Sequence, residues 1–206
     1  MPPPTDSAGD PMNPPARDLP TRYGVVAMPL HWLIAAAIIA NIVIALAAPE
    51  GRNPTHVAMM SFHMALGLTV LVLSIARVVW RLMNPVPPPP AGLSRLERIA
   101  GTALHHLFYI LIVAIPLAGW LMMSASHRTP SYFGLFPWPV IPGFGGLDSA
   151  GSHQWHEVCG SAHVFLAWAM IVLLPLHIAA GLYHHLLRKD NVLLRMLPGT
   201  HLRGGV

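Results

Sequence analysis

Cysteine is nearly absent from this 206-residue chain, which has Cys159 and no other. A single thiol excludes an intramolecular disulfide, a Cys-x-x-Cys redox pair, a cysteine-held iron–sulfur cluster and the Cys-x-x-Cys-His attachment of c-type haem. Charge is scarce too: Asp, Glu, Lys and Arg make up 10% of the residues against 54% hydrophobic ones, with a mean hydropathy of +0.54. Soluble domains carry about 25% charged residues, so this composition argues against a soluble globular enzyme. The chain has no glycine-rich phosphate loop, and its serines lack the spacing of a nucleophile elbow. His156-Glu157 is followed by Gly160 where a zinc-protease helix needs its second histidine, so His-Glu-x-x-His is missing. Residues 1–24 lack the apolar stretch of a cleaved signal peptide. We expect residues 1–21 to form a disordered cytoplasmic tail.

What the chain does have is four apolar blocks. Each is long enough to cross a hydrocarbon layer of roughly 30 Å, which takes about 20 helical residues. They predict spans over about 25–48, 56–80, 99–123 and 156–187. Pro49 to Pro54 break the chain after the first, and Pro85 with the Pro87–Pro90 run stops the second. Ser94-Arg95-Leu96-Glu97 has capping-box spacing and predicts a helix start near Arg95. Pro116 falls inside the third span, where neighbouring helices can satisfy the freed carbonyl. Residues 124–155 form the longest connection; Phe133, Phe136, Trp138 and Phe144 suit it to the membrane interface. The fold class expected is all-α: an up-down, integral-membrane four-helix bundle spanning 22–198, with residues 199–206 as a C-terminal tail.

Orientation follows from Lys and Arg in the flanks. Arg17, Arg22, Arg77, Arg81, Arg95, Arg98, Arg188, Lys189, Arg195 and Arg203 fall on the side of the termini, whereas Arg52 and Arg128 fall opposite. The positive-inside rule therefore puts both termini in the cytoplasm. The same asymmetry accounts for the sequence pI of about 9.8 without nucleic-acid binding.

Histidine is in excess, thirteen against twelve Lys plus Arg, and ionisable side chains inside a membrane mark function by default. On the fourth span His156, His163, His177 and His184 recur at multiples of seven, almost two helical turns, and so share one stripe. His163 and His177 are about 21 Å apart along the axis at about 1.5 Å per residue. His31 in the first span matches the depth of His177, and His63 in the second that of His163. Two histidine pairs, one per leaflet, are the donor set for two six-coordinate haem irons inside a helix bundle. Small residues beside them (Ala35, Ala36, Ala37, Gly67, Ala179, Ala180, Gly181) allow close approach of a flat macrocycle, or ordinary helix packing. His56, His156, His184 and His185 lie at span ends, where interfacial solvation explains them. His105 and His106 open the third span and are candidates for a haem propionate, a quinone pocket or a substitute axial ligand. Arg77 suits a propionate through its fork of donors, or snorkels to the interface. Met59, Met60, Met64, Met122 and Met123 read as packing rather than copper ligands.

At these residues the chain resembles the bacterial cytochrome b561 family, small four-helix membrane proteins related to the b-type cytochromes of nickel–iron hydrogenases. The resemblance covers about residues 22 to 198. It rests on Arg22-Tyr23, Leu30-His31-Trp32-Leu33, Phe62-His63-Met64-Ala65-Leu66-Gly67, Arg77-Val78-Val79-Trp80-Arg81-Leu82, Pro85 with its proline run, His105-His106-Leu107-Phe108-Tyr109, Pro116-Leu117-Ala118-Gly119, Leu176-His177 through His184-His185, and Arg188-Lys189-Asp190-Asn191 to Arg195-Met196-Leu197. It implies two non-covalent haems b held by His31 with His177 and by His63 with His163, the pairs that depth matching selects. It further implies electron transfer in the bacterial inner membrane. Quinone would be the lipid-phase partner and superoxide or a redox protein the periplasmic donor, since some members look like superoxide:ubiquinone oxidoreductases. Two other readings stay open on the residues: a cytochrome b anchor subunit of a hydrogenase or dehydrogenase, and a histidine-lined transporter of metal ions or protons. Monomer and homodimer are equally compatible with the sequence.

Overall fold

The computed structural model describes residues 22–51, 53–84, 87–90, 92–144 and 146–202. The expected tail over 1–21, Arg52, Pro85 and Arg203 lie outside the described residues. Four long helices cross in sequence: α1 (Ala27–Ala47), α2 (Pro54–Met83), α3 (Arg95–Ala125) and α4 (Ser149–Tyr183). All four are long and apolar enough to cross a membrane. With short connections between the first three, they alternate in direction, and the first and last described residues lie at one face of the bundle, here the terminal face, where Arg22 donates to the Thr200 carbonyl at 3.4 Å.

The helix boundaries have local causes. Asn53 caps α2, its side chain accepting from the His56 N–H at 2.8 Å, and Pro54 occupies the first turn, where its missing N–H costs nothing. The capping box expected at Ser94 is complete: the Ser94 hydroxyl accepts from the Glu97 N–H at 3.2 Å and the Glu97 carboxylate from the Ser94 N–H at 2.7 Å. We predict that Ser94→Ala costs about 1 kcal/mol of stability, measurable as a lowered midpoint of thermal unfolding in detergent, with no change in cofactor content. The fourth helix starts at Ser149, seven residues before the onset expected from hydropathy. Asp148 sets this start by accepting from the Gly151 N–H at 2.8 Å, and the first two turns therefore project beyond the apolar block.

The packed centre is thin and lies at mid-bundle. Leu111, Ile112 and Met170 form its buried nucleus, with Ile38, Ile42, Phe108, Leu166 and Leu173 against it. Met170 stands midway in sequence between His163 and His177, so this apolar layer separates the two histidine levels. Outward faces are uniformly apolar, with Val43, Leu46, Val72, Phe165, Trp168, Val172 and Leu176 exposed. In a bundle without a charged surface these are lipid contacts.

The 124–155 connection is more ordered than a loop. Ser131–Tyr132 and Phe136–Pro137 pair as a short antiparallel hairpin, with Tyr132 opposite Phe136. Hydrogen bonds tie it to the bundle, beside ring contacts of Phe133 with Phe62 and of Trp138 with Trp120. The Tyr132 and Thr69 hydroxyls lie 3.0 Å apart, the Trp120 indole donates to the Pro139 carbonyl at 2.8 Å, and the Ile141 N–H donates to the Ser124 hydroxyl at 3.0 Å. At the terminal face α4 passes into a single π-helical turn (His184–Arg188), and a 3-10 turn follows (Leu194–Met196). Arg188 pairs with Glu97 at 3.0 Å, and the Trp32 indole donates to the Met196 carbonyl at 2.7 Å. Part of the expected 199–206 tail is packed as well, since the Thr200 hydroxyl donates to the Leu194 and Leu197 carbonyls.

Candidate cofactor sites

The bundle brings the four predicted histidines together in two pairs. His31 of α1 faces His177 of α4 with ring centroids 6.4 Å apart, and His63 of α2 faces His163 of α4 at 6.0 Å; each pair of ring planes is inclined at 79°. Two imidazoles sharing one metal at about 2.0 Å from each nitrogen have centroids about 6.3 Å apart. An edge-to-face aromatic pair has a similar spacing; at the His63/His163 pair the hydrogen bonds add which ring nitrogen carries the proton. His163 Nδ1 lies 2.8 Å from the Ile115 carbonyl and His63 Nδ1 lies 3.3 Å from the Asn41 carbonyl. A carbonyl only accepts, so both Nδ1 atoms carry the proton and both Nε2 lone pairs stay available to a metal. This is the donor chemistry of axial ligation.

Buried donors without acceptors fit the same group. Among the described residues, Trp80 Nε1 and Arg81 Nη1 near the terminal face, and Trp138 Nε1 near the opposite one, have no hydrogen-bond partner. Carboxylates such as haem propionates are the acceptors such donors require. Arg77, placed by sequence either on a propionate or at the interface, is turned inward. Its guanidinium donates to the Ala27 carbonyl at 2.9 Å and lies 5.8 Å from the Tyr109 ring centre, which leaves further N–H groups in its fork.

His105 and His106 part company. Neighbours on a helix are about 100° apart, so one of them can face inward. The His105 ring lies 5.6 Å from His177 and within electrostatic reach of Arg77 and Arg81. Both rings are exposed, but His106 turns back to hold the Thr102 carbonyl of its own helix at 2.8 Å. Phe108 also packs on His177, at 5.1 Å. Two span-end histidines expected to be solvated are bonded instead: His156 Nδ1 to the Ser126 hydroxyl at 2.6 Å, and His184 Nδ1 to the Asp190 carboxylate at 2.6 Å. Gly119 is the residue that sequence reasoning missed. A Cβ there would lie 3.1 Å from His163 Nδ1, and only the packed structure reveals that approach.

Two open surface depressions begin at the opposite face, the first running along the outer side of α4. One of about 550 Å³ is lined by residues that include His156, Glu157, Ser161, Phe165 and Trp168, and one of about 370 Å³ by residues that include Ser126, Arg128, His153, His156 and Glu157. None of the four paired histidines lines either. Among the described residues no group of three or more His, Cys, Asp or Glu is arranged to hold a metal ion.

Histidine pairs spanning an apolar four-helix bundle define the class of membrane b-type cytochromes. The comparisons agree, and they are specific: the family model described as prokaryotic cytochrome b561 matches residues 22–199, and the chain belongs to that family. Among similar proteins is cytochrome b561 homolog 2 of Escherichia coli K12, 31% identical over 189 residues that cover 91% of this chain and 97% of the relative. Cytochrome b561 homolog 1 of the same organism is 31% identical over 184 residues, covering 86% and 97%. A Yersinia pestis protein named probable superoxide oxidase CybB is 29% identical over 182 residues, covering 86% and 96%. The chain is thus a multi-pass, haem b-binding electron-transport protein of the bacterial inner membrane.

Proposed function

We propose that this protein is a di-haem cytochrome b that takes single electrons from a donor at the periplasmic face and delivers them to quinone near the cytoplasmic face. The observation that carries this reading is the pair of facing imidazoles at each of two depths, 6.0 and 6.4 Å between centroids. In this reading the terminal face is cytoplasmic, as its arginines favour. His31 with His177 and His63 with His163 are the axial ligands, and the domain runs over 22–198 between two tails. Haem b, when bound, supplies the one-electron iron couple. The chain does the rest: Nδ1 donation to the Ile115 and Asn41 carbonyls fixes the tautomer of two ligands, and the apolar layer around Leu111, Ile112 and Met170 keeps water from the space between the levels. At the cytoplasmic level Arg77, Arg81 and His105 provide donors for propionates or for a quinone carbonyl; exposed on the outer side of α3, His106 is better suited to a headgroup-level role.

Superoxide is the donor we favour, because it is the substrate named for the Yersinia pestis relative and because a radical anion needs no docking surface for a partner protein. The test is a proteoliposome loaded with quinone and exposed to enzymatically generated superoxide on its outer face. Quinol formation that depends on the protein and is abolished by added superoxide dismutase is the expected result. No quinol above protein-free vesicles would overturn the superoxide assignment.

A further inference from the structure

The two histidine levels are chemically unequal. At the periplasmic level both imidazoles donate through Nδ1 to backbone carbonyls, His163 to Ile115 at 2.8 Å and His63 to Asn41 at 3.3 Å. Donating that proton moves electron density toward Nε2, makes the ring a stronger ligand and favours the more highly charged ferric state. At the cytoplasmic level neither His31 nor His177 makes a side-chain hydrogen bond among the described residues, and their neighbours are the rings of Trp32, His105 and Phe108. Cations stand there instead: Arg77 within electrostatic reach of His31 and His105, and Arg81 within reach of His105. A nearby positive charge favours the ferrous state. Among the described residues the charges at the periplasmic rim are Arg128, Glu50, Asp148 and Glu157, so no excess of cations stands there.

Ligand hydrogen bonding and cation placement therefore push the same way. Building on the two-site reading above, we infer that the periplasmic site has the lower potential and the cytoplasmic site the higher, and that Gly119 is the positioning residue that sets the lower one. His163 reaches the Ile115 carbonyl only by lying against α3 one turn before Gly119. A Cβ at 119 would come within 3.1 Å of Nδ1 and 3.3 Å of Cε1, tight enough that the ring must give by a few tenths of an ångström. An alanine at 119 would lift the ring and weaken its hydrogen bond. The resulting potential difference makes passage from the periplasmic to the cytoplasmic level downhill for the electron.

Spectroelectrochemical titration of the purified full chain tests this, alongside Gly119→Ala and Gly101→Ala. Gly101 lies on the same helix with nothing within 4 Å of an added Cβ. The wild type should show two one-electron waves. In Gly119→Ala the lower wave should rise by about tenfold in its reduction equilibrium, ~59 mV for one electron, while the upper wave stays in place; Gly101→Ala should leave both unchanged. Movement of the upper wave, or of neither, overturns the assignment. A second measurement does not depend on how well Gly119→Ala binds haem: in the doubly substituted His105→Ala, His177→Ala chain, which also removes the neighbouring imidazole 5.6 Å from His177, the surviving wave should be the lower one, and survival of the upper one overturns the inference. A wild-type haem-to-protein ratio of one would instead overturn the two-site reading itself, and the inference with it.

Discussion

Replacing His163 with alanine should lower the haem content of the purified protein from two per chain to one. The remaining haem should keep its low-spin spectrum, because His31 and His177 sit on the far side of the Leu111, Ile112 and Met170 layer and touch neither His63 nor His163. The effect should be close to complete. A bis-histidine site that loses one of its two protein–iron bonds cannot draw on a spare ligand, since His156, the next histidine on the stripe, stands seven residues away, about 10 Å along the helix axis at about 1.5 Å per residue. Haem-to-protein stoichiometry by pyridine haemochrome and amino-acid analysis reads the result directly. Loss of both haems, or of neither, would mean that the two levels are not independent sites.

His177→Ala should produce the second large effect, and a functionally opposite one. The periplasmic site stays intact, so a periplasmic reductant still reduces one haem, but delivery to quinone should fall by at least about tenfold, the cost of raising a barrier by about 1.4 kcal/mol. Stopped-flow reduction followed at the Soret band, in parallel with quinol formation in proteoliposomes, separates the two steps. Unimpaired quinol formation would place quinone at the periplasmic level and contradict the proposed path. His105 lies 5.6 Å from His177, close enough to offer itself as a replacement, so the doubly substituted His105→Ala, His177→Ala chain distinguishes a rescued site from one that was never needed.

The spans and the four paired histidines were legible because both rest on periodicity. A seven-residue interval returns a helix to nearly the same face, and about 1.5 Å per residue converts sequence separation into depth. Two facts of connectivity, alternating helix direction and short links, were enough to match His31 with His177 and His63 with His163. What was not legible depends on close approach between elements. The 131–137 hairpin is held by Tyr132 on Thr69 and by Ser124 on Ile141, contacts with no local signature in either segment. The early start of α4 escapes the onset of hydropathy, because the Asp148 cap that sets it lies outside the apolar block. For His105 and His106 the sequence offered two adjacent candidates, and only the rotation of α3 against α4 selects the first. Gly119 stood in a recognisable Pro-Leu-Ala-Gly string, yet the reason for a glycine there is the position of a side chain on another helix.

The central claim is that two facing histidine pairs hold two haems b in one bundle. The measurement that tests it most directly is a reduced-minus-oxidised visible spectrum of the detergent-purified protein together with its haem-to-protein ratio. The account predicts sharp low-spin b-type bands at two haems per chain. A folded, monodisperse preparation with no Soret absorbance after expression with haem supplied would contradict it, and would turn the histidine stripe back into a path for ions or protons.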